Sequence, residues 1–175
     1  MRIRTTPSVI IRIVIWLILL IGGSYLSITL DLRYFKDIFL NIYFHLFTIP
    51  FGLIFLSLSF RATSKGGRAL AKFGRVGDIP RLETNRLVKS GIYSCTRHPM
   101  LIGLMLLPFA LALLIGSVSF IIFIAPLEAL LIFILVITLE EYEAIKKFKD
   151  EYIEYKKATP LFPKNLKCLR ELFRR

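Results

Sequence analysis

The stretch RHPMLIGLMLLPFALALLIGSVSFIIFIAPLEALLIFILVITLEE, residues 97–141, decides the fold. Arg97 and His98 lead directly into an apolar run. Gly116-Ser117 is its one clear break, and a second apolar run ends abruptly on Glu140-Glu141. Glycine and serine between two such runs predict a tight antiparallel pair of helices. Such a hairpin returns both ends to one side, so Arg97 and His98 should meet the two glutamates at one membrane face.

Working outward, 55% of the 175 residues are hydrophobic, more than a soluble chain of this size can hide. Four runs approach the roughly 20 apolar residues needed to cross a bilayer: about 10–30, 38–60, 100–115 and 119–139. The third is short, so it should tilt, thin the bilayer or lie sheltered among the others. The expected fold is therefore an all-α integral membrane protein with about four transmembrane helices, forming a single domain over 1–175. Arg2 and Arg4 before the first run also resemble a signal peptide, but the run is too long and lacks a small-residue cleavage site. A retained first span is expected.

The net charge is +12, and its placement is informative. Nine basic residues lie from Arg61 to Arg97 and ten follow Leu139, whereas Asp31 and Asp37 offset Arg33 and Lys36 in the first connection. The positive-inside rule puts both termini and the long loop in the cytoplasm, with the cell membrane as the expected location. A basic skirt of this kind contacts anionic membrane lipids, and no nucleic-acid partner is expected. Cys95 and Cys168 fall on the same side, so reduced thiols are expected, without metal-ligand company. The oligomeric state is not legible.

Several residues inside the spans are notable. His45 lines a polar cavity or is hydrogen-bonded within the bundle; Pro50 should kink the second span. Glu128 is a carboxyl at membrane depth, where it is costly, and is a secondary candidate for function. Lys65-Gly66-Gly67 and residues 74–78 look like loop, with a short helix over 68–73 between them. After Leu139 the pattern turns amphipathic: Ile145, Phe148, Tyr152 and Tyr155 share one helical face, and Glu143–Lys147 forms an i,i+4 pair on the other. This cytoplasmic helix should stop near Ala158, before Thr159-Pro160, and either lie on the membrane or fold over the mouth of the hairpin.

Pro99 suits the first turn of a helix, whose free amides and positive dipole end add to Arg97 and His98 as a seat for an anion. Glu140 and Glu141 supply acceptors for an ammonium or hydroxyls, and Tyr93 with the later tyrosines can wall an aromatic base. S-adenosylmethionine carries all of these groups. The bland alternative is that the same residues anchor helix ends in the interface.

The segment Gly91-Ile92-Tyr93-Ser94-Cys95-Thr96-Arg97-His98-Pro99-Met100-Leu101-Ile102-Gly103 resembles the G-P-Y-x-x-x-R-H-P-x-Y-x-G element of integral-membrane methyltransferases. These comprise the isoprenylcysteine carboxyl methyltransferases and the related phospholipid methyltransferases. Glu140-Glu141, Phe148, Tyr152, Tyr155 and Thr159-Pro160 resemble their second element, E-E-x(6)-F-G-x-x-Y-x-x-Y-x-x-x-[VT]-P. The resemblance implies a cofactor-binding core over about 84–163. Within it, Arg97, His98 and Pro99 cradle S-adenosylmethionine, Glu140 and Glu141 bind it from the other side, and Gly91 and Tyr93 shape the approach. Arg97 and Glu141 are the candidate catalytic residues. The acceptor it implies is a lipid or prenylated molecule. Three positions depart from the pattern: Ile92 for proline, Leu101 for tyrosine, and Lys149 for the glycine after Phe148, which predicts a helix running straight through.

Two other readings exist. A membrane sterol- or enone-type reductase using NADPH carries a similar R-H-P element, usually continued by Asn-Tyr where this chain has Met100-Leu101. A non-enzymatic transporter or scaffold would instead work through His45 and Glu128.

Overall fold

The structure is a computed structural model that describes residues 5–80 and 83–174. Arg2 and Arg4, which helped set the predicted orientation, lie outside the described residues. Among those described there is no strand. Three helical stretches are long and apolar enough to cross a membrane, Val9–Tyr34, Ile42–Phe73 and Phe120–Phe148, with a shorter apolar helix at Pro99–Ile115. The all-α membrane architecture holds. The short third helix is sheltered as expected, since Leu101, Gly103, Pro108, Ala110 and Ala112 are all buried.

Helix α1 (Thr5–Tyr34) is followed by a one-turn α2 (Lys36–Phe39) and by the long α3 (Ile42–Phe73). In α1 the hydroxyls of Ser24 and Ser27 donate back to the carbonyls of Leu20 and Ser24, so neither is left bare in hydrocarbon. Helix α3 continues through Pro50 and, against the loop expected at 65–67, runs unbroken into the helix expected over 68–73 and ends at Phe73. Packing overrides propensity here. Gly66 lies against Met100 and Pro99, where an added Cβ would stand 2.5 Å from the Met100 side chain. The α3–α4 seam is close throughout: Ser59 Oγ donates to the Gly103 carbonyl at 2.6 Å. Small residues that let helix backbones approach are the usual device for holding membrane helices together.

Helix α4 (Pro99–Ile115) ends on Gly116, which adopts the left-handed conformation (φ 68°) and returns amide bonds to Ala112 and Leu113. The fourth span then starts almost at once. Its first turn is capped from elsewhere, since Asp31 at the end of α1 accepts the Ser119 amide at 2.9 Å and Ser117 Oγ accepts that of Phe120. His45 packs on Gly116 and its Nε2 meets the Phe39 carbonyl at 2.6 Å. It therefore braces the hairpin turn, the bundle-internal role weighed above.

The fourth span is not a uniform helix. A π-helical turn (Phe120–Ile124) opens it, α5 (Ala125–Leu135) follows, and a second π turn (Val136–Glu140) leads into α6 (Glu141–Phe148). Helix α6 does not run straight on. Lys149 sits at φ 50°, ψ −129°, conformational space that suits glycine, and the chain bends there into α7 (Asp150–Ala158). Lysine thus keeps the break that the family's glycine would make, correcting the expectation of a continuous helix. The stop at Ala158 is as expected.

The sequence gives little warning of α8 (Leu166–Phe173). It packs back on the bundle, with Leu172 fully buried among Ala62, Val88, Ile92 and Tyr93. Cys95 and Cys168 are joined in a disulfide, their Cα atoms 5.5 Å apart. This corrects the expected reduced thiols. That expectation treated each cysteine by its compartment alone, whereas α8 brings Cys168 against the 3₁₀ turn (Gly91–Ser94) that precedes Cys95.

Candidate active site

The two ends of the hairpin do meet. Arg97 Nε and Nη2 donate to Glu141 Oε1 at 3.0 and 2.8 Å. Its Nη1 donates to the carbonyls of Thr159 and Lys156, at 2.7 and 3.1 Å, and its amide to that of Pro160. One arginine therefore ties the Arg-His-Pro segment, the glutamate pair and the Thr-Pro end of α7 together. Lys156 Nζ holds the other oxygen of Glu141. With its side chain only 5% exposed, Glu141 is a buried carboxylate matched by two cations. A buried charge is tolerable only when paired and hydrogen-bonded in this way.

Glu140 differs from its neighbour. Its side chain is 43% exposed and stands 3.6 Å from His98 Nδ1 and 3.6 Å from Arg12 Nη1. Arg12 comes from α1 and also holds Glu143, at 2.6 and 2.7 Å. Glu143 is thus paired across the bundle by Arg12, in addition to its electrostatic interaction with Lys147, the expected i,i+4 partner. Nothing in the local sequence pattern points to Arg12 or Lys156 as members of this cluster. Contacts this distant in sequence leave no local periodic signal.

A cavity of about 250 Å³ opens beside these residues. Tyr93, Arg97, His98, Glu140, Tyr152 and Tyr155 line it, together with Arg86 and the apolar Leu101, Leu104 and Val136. The long loop delivers Arg86: Asn85 bonds both the amide and the carbonyl of Val76, and the Gly74 carbonyl accepts the amides of Asn85 and Arg86. Glu141, Pro99 and Gly91 do not line the cavity. Pro99 is buried as the first residue of α4, and Gly91 supplies a left-handed turn (φ 64°) on the surface. The predicted site residues thus divide into a lining set, a buried pair (Pro99 and Glu141) and the surface turn at Gly91.

The tyrosines form the roof. Tyr155 donates to the Tyr93 carbonyl at 2.6 Å, and Tyr152 OH shares a 3.3 Å hydrogen bond with His98 Nε2. Burial, with the Glu141 charge second, pushes the Tyr152 phenol up to about 12. Burial likewise raises Tyr93 and Tyr155, so all three phenols stay protonated at neutral pH. Helices α6 and α7 therefore fold over the mouth of the hairpin, with Tyr152 and Tyr155 buried beneath them.

The cavity thus combines charged groups with aromatic and apolar walls at one end of a membrane helix bundle, a candidate site for a ligand that is part polar and part apolar. The particular class follows from comparison with known families. Residues 47–151, more than half of the chain, match the phospholipid methyltransferase family. The chain belongs to that family. The matched region runs from α3 into α7 and includes Arg97, His98, Pro99, Glu140 and Glu141. No characterised protein and no solved structure gives a significant match.

Proposed function

We propose that the protein is an S-adenosylmethionine-dependent methyltransferase acting on a lipidic or prenylated acceptor. The observation that carries this reading is the convergence of the Arg-His-Pro and Glu-Glu ends on one cavity, in a chain of a methyltransferase family. The donor set fits the cofactor. Arg86 and His98 offer positive or donating groups for its carboxylate, Glu140 can take its ammonium or ribose hydroxyls, and Tyr93 with Tyr152 can flank adenine. Arg97 and Glu141 act differently from the roles the family resemblance implies. Every guanidinium nitrogen of Arg97 is engaged within the protein. Arg97 borders the cavity with its guanidinium bonded to Glu141, Thr159 and Lys156, and Glu141 lies behind it, so both act by positioning the other lining residues.

S-adenosylmethionine, when bound, supplies a methyl group on a positively charged sulfur. Transfer is an in-line displacement, so alignment and exclusion of water are the main contributions of the chain. Tyr152 and Tyr155 cover the cavity from the aqueous side. Glu140 places a negative charge beside it that favours a cationic cofactor. His98 is the group best placed to take a proton from an amine acceptor, which must present its neutral form. The basic residues flanking the spans support a cytoplasmic orientation of this face, in the cell membrane.

The direct test is calorimetric titration of detergent-purified protein with S-adenosylhomocysteine. Saturable binding is expected for the native chain, reduced at least tenfold by Glu140→Ala and by His98→Ala. Binding of NADPH in its place would overturn the reading in favour of a reductase.

A further inference from the structure

A second cavity lies between α1 and the fourth span, in the bilayer-spanning part of the molecule. It has a volume of about 510 Å³ and is walled mainly by isoleucine and leucine. Leu135 and Leu139 on its wall are exposed at the protein surface, so the cleft opens to hydrocarbon. Three polar side chains border this apolar space; Arg12 is engaged by Glu140 and Glu143, and the other two each leave an atom without a partner among the described residues. Glu128 is only 5% exposed, yet its Oε2 has no hydrogen-bond partner among the described residues. The indole Nε1 of Trp16 has none either. The helix opposite is shaped around the carboxyl: a Cβ at Gly23 would stand 2.4 Å from Glu128 Oε1.

An unpartnered buried carboxyl carries its full desolvation cost, and a membrane interior offers it no water. Nothing among the described residues recovers that cost, which points to a ligand as the missing partner. The cleft lies among membrane spans and its walls are aliphatic, so the ligand is a lipid. Glu128 requires a hydrogen-bond donor, and Trp16 supplies one toward an acceptor nearer Arg12. Twelve positions separate Glu128 from Glu140, roughly 18 Å of helix at about 1.5 Å per residue. The group that meets Glu128 is therefore not at the charged cavity.

We propose that the cleft between α1 and the fourth span is a lipid-binding site in which Glu128 receives a donor group, a hydroxyl or an amine, carried on an apolar chain. This site does not rest on methyl transfer and survives if that reading fails. Trp16 is the chain's only tryptophan, so its emission reports occupancy directly. Protein in nanodiscs would be titrated with hexadecanol, hexadecylamine and hexadecane. A saturable change with the alcohol or the amine, and none with the alkane, is expected. Glu128→Leu should weaken it at least tenfold. Glu128→Gln separates the two donors, retaining the alcohol but losing the amine. Gly23→Ala, which crowds the carboxyl, should weaken binding without touching the lipid-facing wall. An equal response to hexadecane, or undiminished binding in folded Glu128→Leu and Gly23→Ala, would overturn the proposal.

Discussion

Glu141 and Glu128 lie on the same span and are almost equally buried, at 4% and 5% exposure, yet their surroundings are opposite. Around Glu141 stand Arg97, Lys156 and, 3.6 Å away, His98. Glu128 Oε2 has no hydrogen-bond partner among the described residues. A matched carboxylate is architecture: it fixes where Arg97, α4 and α7 sit and so shapes the cavity beside it. An unmatched one marks a place the bundle leaves for something else. The conspicuous motif glutamate therefore lies behind the cavity wall, while its exposed neighbour Glu140 lines the cavity itself.

The comparison is most easily broken at Arg97. Arg97→Ala would strand a buried carboxylate with Lys156 as its remaining cation and would remove the bonds to Thr159 and Lys156. A loss of about 3–5 kcal/mol is expected, the scale for breaking a buried ion pair. Thermal melts in detergent would measure it, and Arg97→Lys should recover only part because it cannot bond bidentately. An Arg97→Ala protein as stable as the native one would mean that the Glu141 cluster supports nothing.

Next in size is the disulfide. Cys95 lies two residues before Arg97, and its bond to Cys168 closes a separation of 73 residues. Cys168→Ser should cost about 2–4 kcal/mol, through greater freedom of the unfolded chain. Because α8 buries Leu172 beside Tyr93, the same change should loosen the cavity wall. Amide exchange in residues 91–95 would rise, while residues around Glu128 stay unaffected. A uniform rise across both regions would erase the distinction between them.

Glu128→Leu is expected to act in the opposite direction. Replacing an orphaned polar group by an apolar one of similar shape removes its desolvation cost, so stability without ligand should rise by about 1–2 kcal/mol. Glu141→Leu, which strands Arg97 and Lys156, should destabilise. Measured side by side by thermal melts, the two substitutions should differ in sign. The same sign for both would refute the contrast drawn between the two carboxylates.

Much of this was legible in the sequence because hydrophobic run length and hairpin punctuation are local. The four-helix plan, the Gly116 turn and the meeting of Arg97 with Glu141 follow from the positions of apolar and charged residues alone. What was hidden depends on neighbours far along the chain. Arg12 reaches Glu140 and Glu143 from the other end of the molecule, and Cys168 finds Cys95 only because α8 folds back. The π turn over Val136–Glu140 was equally invisible, although it ends on Glu140 and leads directly into Glu141. Its apolar residues suit a π turn and an ordinary helix alike.

The smallest expected effect tests the one place where local chemistry and structure disagree. Lys149 holds a positive φ that a lysine adopts only under strain, and the bend there lets α7 bring Lys156 back to Glu141. Strain of this kind costs about 1–3 kcal/mol, while glycine gains back freedom in the unfolded chain. Lys149→Gly should therefore raise stability by about 1 kcal/mol and leave Arg97–Glu141 intact. Lys149→Pro, whose φ is fixed negative, should open the bend and pull Lys156 from Glu141. If Lys149→Gly instead destabilised the protein, the side chain rather than the backbone would be what holds the turn, and the support under Glu141 would extend one helix further than the ion pairs indicate.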